Sequence, residues 1–132
     1  MTPRLSYSKK IMKEFLNPKN LGEIKNPDGV GQVGNPKCGD IMHIFIRVGD
    51  QGKKTEFLKD VKFKTFGCGA AIASSSILTQ IAKGKKMQQA KKITNKDVAN
   101  KLKGMPPIKL HCSNLAADAL QKAIEDYRGK KK

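Results

Sequence analysis

Tryptophan is absent from this chain, and aromatic residues make up only 5% of it. Single-stranded nucleic acid is held largely by stacking bases on aromatic rings. With so few rings, and with no RRM-like or finger motif, specific nucleic-acid recognition is not expected. Acidic residues are also few, 11 against 27 basic ones, for a net charge of +16. That balance implies either a lysine-rich solvated surface or an anionic partner, whether a cofactor, an acidic protein or a phosphate backbone. No window reaches the roughly 18 apolar residues that a membrane span requires. The segment Met1 to Lys10 lacks the apolar core of a signal peptide, so a cytoplasmic location is expected. There is no internal repeat. At 132 residues the chain can bury one modest core, and a single domain over 1–132 is expected, with 129–132 as a frayed basic tail.

Cysteine is the scarce residue that matters most. There are three, Cys38, Cys68 and Cys112. An odd number cannot all pair within the chain, and no CxxC occurs, so neither a zinc ribbon nor a thioredoxin-like site is supported. In a reducing compartment the remaining roles are metal binding and redox chemistry.

The pattern around these cysteines places them at the ends of elements. Leu5, Ile11, Met12, Phe15 and Leu16 share a helical stripe, and Pro18 stops that helix. Residues 23–37 read as loop with one short edge strand near Val30 to Val33, leading to a turn, Asn35 to Asp40, that carries Cys38. From Ile41 to Val48, Met42, Ile44, Ile46 and Val48 alternate with His43 and Arg47, as in a half-buried strand. His43 falls on the polar face and reads as a surface histidine. Phe57 to Phe66 is the return strand, with Val61 and Phe63 inward. Such a hairpin aims Cys68 back toward Cys38.

Ala70 to Ala82 reads as a helix with Ala70, Ala73, Ile77, Leu78 and Ile81 inward. Ser74, Ser75 and Ser76 have no histidine or carboxylate nearby in sequence and read as close-packing residues. Gly84 ends this helix. One or two short basic helices follow, with Thr94 and Asp97 placed for a capping box. Two prolines make Met105 to Lys109 extended. The last helix then runs from about Ser113 to Arg128, with an Asp118–Lys122 pair one turn apart.

Cys68 sits between Gly67 and Gly69, just ahead of a helix whose free N–H groups favour its thiolate. Cys112 is likewise expected directly before a helix, and Cys38 lies in a turn at a strand end. Three thiolates select soft or borderline metals: zinc, copper(I) or an iron–sulfur cluster. A four-ligand site is one short, and Asp40 and His111 are the candidates. A carboxylate in that place exchanges more readily than a thiolate, which suits a protein that releases a cluster. A hydrolase built on Cys112 and His111 is disfavoured, because sequence neighbours point their side chains apart and no third group orients them.

Three stretches, Asn35-Pro36-Lys37-Cys38-Gly39-Asp40, Phe66-Gly67-Cys68-Gly69-Ala70-Ala71-Ile72-Ala73-Ser74-Ser75-Ser76 and Pro106-Pro107-Ile108-Lys109-Leu110-His111-Cys112-Ser113, together resemble the IscU/NifU-type iron–sulfur cluster assembly scaffolds. The N-terminal Asn17-Pro18-Lys19-Asn20-Leu21-Gly22 agrees as well. The resemblance implies an α+β fold: a small three-stranded antiparallel sheet with helices packed on one face. It implies a scaffold rather than an enzyme, on which a 2Fe–2S cluster is assembled from iron and desulfurase-derived sulfur and then passed to apo-proteins. Cys38, Cys68 and Cys112 would be ligands, with Asp40 or His111 as the fourth. Cys112 would accept persulfide sulfur from a cysteine desulfurase, and Asp40 would promote cluster release. Pro106, Pro107, Ile108 and Lys109 would be read by an Hsp70-type chaperone. Zinc could occupy the cluster-free site, and a homodimer could form around the cluster.

Overall fold

The computed structural model describes residue 13 and residues 16–35, 40–66, 69–102 and 107–130; for 35, 40, 66, 69–71, 95, 99, 102, 107–115 and 130 it describes the backbone alone. Three strands, β1 (Gly29–Asn35), β2 (Asp40–Gly49) and β3 (Phe57–Phe66), form an antiparallel sheet in the order β1-β2-β3. Helices α1 (Gly69–Ala82), α2 (Met87–Ala90), α3 (Asn95–Leu102) and α4 (Pro107–Lys130) follow.

The alternation expected of β2 is present. Met42, Ile44 and Ile46 are fully buried and Val48 nearly so. A register shift between Arg47 and Val48 lets Leu58, Val61 and Phe63 of β3 join the same inward face. Onto that face pack Ala73, Ile77 and Leu78 of α1, Val98 of α3, and Ala119, Leu120, Ala123, Ile124 and Tyr127 of α4, making one core. The buried stripe of α4 recurs at the helical period. α1 and α4 are rich in small inward residues, so both helices approach closely.

The sheet's other face is crossed by the segment between Lys19 and Asp28. Asn20 and Gly22 exchange backbone hydrogen bonds with Phe63 on the outer edge of β3 (Phe63 N–H to Asn20 O, 3.0 Å; Gly22 N–H to Phe63 O, 2.8 Å). At its far end the Asp28 N–H donates to Ile46 O, and the Asp28 carboxylate accepts from Val48 N–H. In between, Glu23 pairs with Lys64, and Arg47 donates to Lys25 O. The Lys64 ammonium, by hydrogen bond and charge, holds the Glu23 carboxyl below its ordinary range. His43 faces this side, as expected, but is only half exposed. Its ring stacks on Phe45, and its Nδ1 is buried with no partner among the described residues.

Most of the residues expected in the N-terminal helix lie outside the described ones. Lys13 and Leu16 are helical, the Asn17 N–H closes on Lys13 O, and Leu16 is 72% exposed rather than part of a covered stripe. Gly84 ends α1 with φ +87°. The capping box forms in both directions: Asp97 N–H to Thr94 Oγ1 and Thr94 N–H to Asp97 Oδ2. Asp118 and Lys122 make no ion pair with each other.

A further expectation fails, and this one bears on the site. Residues 107–109 are not extended. α4 begins at Pro107, six residues before the expected start, and runs to Lys130. Proline breaks a helix only in its interior. At the first helical position its missing N–H would have had no partner, and its fixed φ suits the helix. Cys112 therefore lies inside α4, in its second turn, and not directly before a helix.

Candidate metal centre

Hydrogen bonding in the sheet gathers several chain ends into one place. Asn35, the last residue of β1, pairs with Asp40, the first of β2, and Ile41 pairs with Phe66, the last of β3. All three strands thus terminate on one edge row. The Thr65 hydroxyl fastens this corner by donating to Ile41 O at 2.7 Å. Gly69 opens α1 three residues after Phe66. The sequences 36–39 and 67–68, which hold Cys38 and Cys68, connect these ends; both cysteines, with Pro106, lie outside the described residues.

α4 reaches the same level. A Cβ added to Gly29 would collide with the backbone of Ala123 and approach Tyr127, and one added to Gly31 would collide with Ala119 and Ala123. Two residues along β1 correspond to four back along α4, which therefore runs antiparallel to it. Those steps match, at about 6.6 Å of strand against about 6 Å of helix. Continued at that rate, Asn35 lies level with about Ser113. The backbone of His111 and Cys112 is thus at the sheet end where Asp40 stands. Pro107, Ile108 and Lys109 form the first turn of α4, beyond that level.

The serines of α1 have a structural role. Ser74, Ser75 and Ser76 are fully buried. The Ser75 hydroxyl donates to Met42 Sδ at 3.1 Å, tying α1 to the start of β2. Ser76 Oγ accepts the Lys19 N–H at 2.9 Å, and Thr79 Oγ1 accepts from the Asn20 side chain at 3.1 Å. Asn20 adopts φ +62°, which Asn tolerates better than most residues. The Asn17 to Gly22 motif is thereby explained: it anchors the crossing segment to α1 and to β3. Sequence reasoning had no signal for this pairing, because partners 57 and 59 residues apart leave no local pattern. Ile41, 39% exposed, and Leu21, 56% exposed, are apolar residues left open, the former in the edge row itself.

Comparison with known proteins agrees with this architecture. A family model described as NifU-like N terminal domain matches residues 6–132. The chain is 55% identical over 121 residues to iron-sulfur cluster assembly scaffold protein IscU 1 of Archaeoglobus fulgidus, covering 92% of this chain and 76% of that protein. It is 46% identical over 130 residues to the Escherichia coli K12 protein named iron-sulfur cluster assembly scaffold protein IscU, covering 96% and 98%. Among solved structures, the N-terminal NifU-like protein of Brucella abortus superposes with a TM-score of 0.72 at 18% identity, covering 93% of this chain and 94% of that one. A SufU-type scaffold structure from Fervidobacterium islandicum gives 0.69 at 24%, covering 89% and 96%. These two likenesses establish the fold. The match along nearly the whole sequence establishes more: the chain belongs to the NifU-like N-terminal domain family.

Proposed function

We propose that this chain is a scaffold that assembles an iron–sulfur cluster of the 2Fe–2S type and hands it to apo-proteins, without being an enzyme in its own right. The observation that carries the reading is the gathering of β1's end, β2's start, β3's end and the level of His111 and Cys112 at one end of the molecule. Covalent continuity from Asp40 and from Phe66 and Gly69 supports bringing Cys38 and Cys68 to that end too. The relatives' names, which specify cluster assembly, point the same way.

In this reading Cys38, Cys68 and Cys112 hold the cluster as cargo, and Asp40 or His111 supplies the fourth bond. Three soft thiolates suit iron–sulfur chemistry and suit zinc equally, so zinc would fill the cluster-free site. Cys68 precedes the first residue of α1, and free N–H groups at a helix start favour a thiolate. Cys112, in the second turn of α4, has no such help, so its activation must come from neighbouring side chains or from bound metal. Sulfur would arrive from a cysteine desulfurase. The Cys112 thiolate attacks the outer sulfur of the donor's persulfide, a new S–S bond forms on Cys112, and the donor cysteine leaves as thiolate. Reduction of that sulfur to sulfide draws electrons from a separate reductant. Asp40, the hard ligand among soft ones, would loosen the cluster for transfer. Pro106 to Lys109 would serve as the docking segment for an Hsp70-type chaperone, and a homodimer would shield the loaded site. A cytoplasmic setting keeps the thiols reduced.

Anaerobic reconstitution with iron and sulfide, followed by mixing with an apo-ferredoxin, tests this. A brown protein that bleaches as the acceptor gains its cluster is expected. A protein that stays colourless, or carries zinc that iron and sulfide cannot displace, would overturn the reading.

A further inference from the structure

The opposite end of the molecule carries a feature that cluster assembly leaves unused. Two adjoining clefts, of about 950 and 630 Å3, lie where α2 and α3 pass the last turn of α1. They share Ile81, Lys85, Gln89 and Lys101, and so form one continuous groove. Its floor is apolar, made by Ile77, Ile81 and Ile93. Its rim is basic: Lys83, Lys85, Lys86, Lys92 and Lys101 are all exposed. The one carboxylate among the described residues of the lining, Asp97, is engaged in the capping box with Thr94. Lys83 approaches Asp60 at 3.6 Å, while the other four lysines make no ion pair with any described residue. Charge at a helix C-terminus accounts for Lys83, Lys92 and Lys101, but not for Lys85 and Lys86. Along α1 the groove's isoleucines, Ile77 and Ile81, stand about 12 and 18 Å from Gly69 at the candidate metal centre.

We propose that this groove docks an acidic peptide segment of a partner protein, one that carries apolar side chains between its carboxylates. Charge complementarity sets the sign of the partner. A single exposed lysine–carboxylate contact is weak, but five cations on one rim create a field that steers and speeds encounter. The isoleucine floor sets the second requirement, because a purely ionic ligand would leave it wet. Nucleic acid fits less well. Among the described residues no aromatic side chain lines the groove to stack a base. Placement at the far end of α1 means that a docked partner leaves the cluster end open. Docking therefore does not depend on the cluster reading, and it is testable on the metal-free chain.

The probe is a short fluorescent peptide of glutamates with interspersed leucines, followed by anisotropy with the full chain. The groove variant is Lys85→Glu, Lys92→Glu and Lys101→Glu combined. The charge-matched control is Lys53→Glu, Lys54→Glu and Lys59→Glu, exposed lysines that line neither cleft. Both change only exposed side chains, and thermal melting checks that each folds. The groove variant should weaken binding about tenfold or more, while the control stays within about threefold of the parent. Replacing the peptide's leucines with serine should also weaken binding. Equal losses in the two variants would reduce the effect to bulk charge and overturn the proposal. So would tight binding of the serine peptide, or a preference for an oligothymidine strand at the same groove.

Discussion

Gly31 offers a sharp test of how β1 and α4 fit together. A Cβ placed there would stand 2.5 Å from the Ala123 nitrogen and 3.0 Å from the Ala119 carbonyl carbon, and closer still to the Ala119 oxygen. Heavy atoms in comfortable contact lie about 3.5–4.0 Å apart, so α4 would have to retreat by more than about 1 Å. The obstructing atoms are helix backbone, which cannot rotate aside. Overpacking of this kind costs about 1–3 kcal/mol, while replacing glycine recovers about 0.4–1 kcal/mol by restricting the unfolded chain. Gly31→Ala should therefore destabilise by about 1–2 kcal/mol and lower Tm by roughly 4–8 °C. Because α4 carries Cys112, the same change should weaken cluster retention without touching a ligand. Gly129→Ala is the control. Nothing lies within 4 Å of a Cβ there, and a helical Gly→Ala change should be neutral or stabilising by a few tenths of a kcal/mol. Urea unfolding of both variants measures the difference. If Gly31→Ala is as stable as the parent, the close approach of β1 to α4 is wrong, and with it the register that sets the level of Cys112.

Other outcomes follow from single features. Thr94→Ala removes one half of the capping box at α3 and should cost about 1 kcal/mol in urea unfolding. Tyr127, buried and donating a short hydrogen bond to Glu56, has its hydroxyl pushed up to about 12. The folded state thus keeps this proton longer than the unfolded one does. The stabilisation is complete below about pH 10 and is lost as pH rises from about 10 toward about 12. Tyr127→Phe should flatten that part of the stability–pH curve. Asp40→Ala should slow cluster transfer to an apo-ferredoxin, monitored by circular dichroism in the visible range. Transfer as fast as the parent's would remove the release role proposed for that carboxylate.

Much of the fold was legible because its signals are local. The alternation of Met42, Ile44, Ile46 and Val48 specified β2 and its inward face, the run 57–66 specified β3, and Gly84, with φ +87°, marked the end of α1. Thr94 and Asp97 announced their helix start three residues apart. The segment 107–109 reads as extended because proline breaks helices, but Pro107 occupies the one helical position that welcomes it. The observed start of α4 at Pro107 moves Cys112 from a helix start to a helix interior and removes a dipole argument for its thiolate. The crossing segment at 19–28 and the basic groove were illegible for another reason. Both depend on partners distant in sequence, such as Lys19 with Ser76 or Ile81 with Lys101, and periodicity carries no trace of them. The convergence of the chain ends was partly legible: a hairpin returns Phe66 to the start of β2, but the alignment of α4 with β1 depends on the glycines at 29 and 31.

The central claim is that Cys38, Cys68 and Cys112 act as one site. It is tested most directly by iron and labile-sulfide analysis of the anaerobically reconstituted parent and its three single Cys→Ser variants after desalting. The account predicts iron and sulfide in equal amounts in the parent and loss of both in every variant. Full cluster content in any one of the three would contradict it.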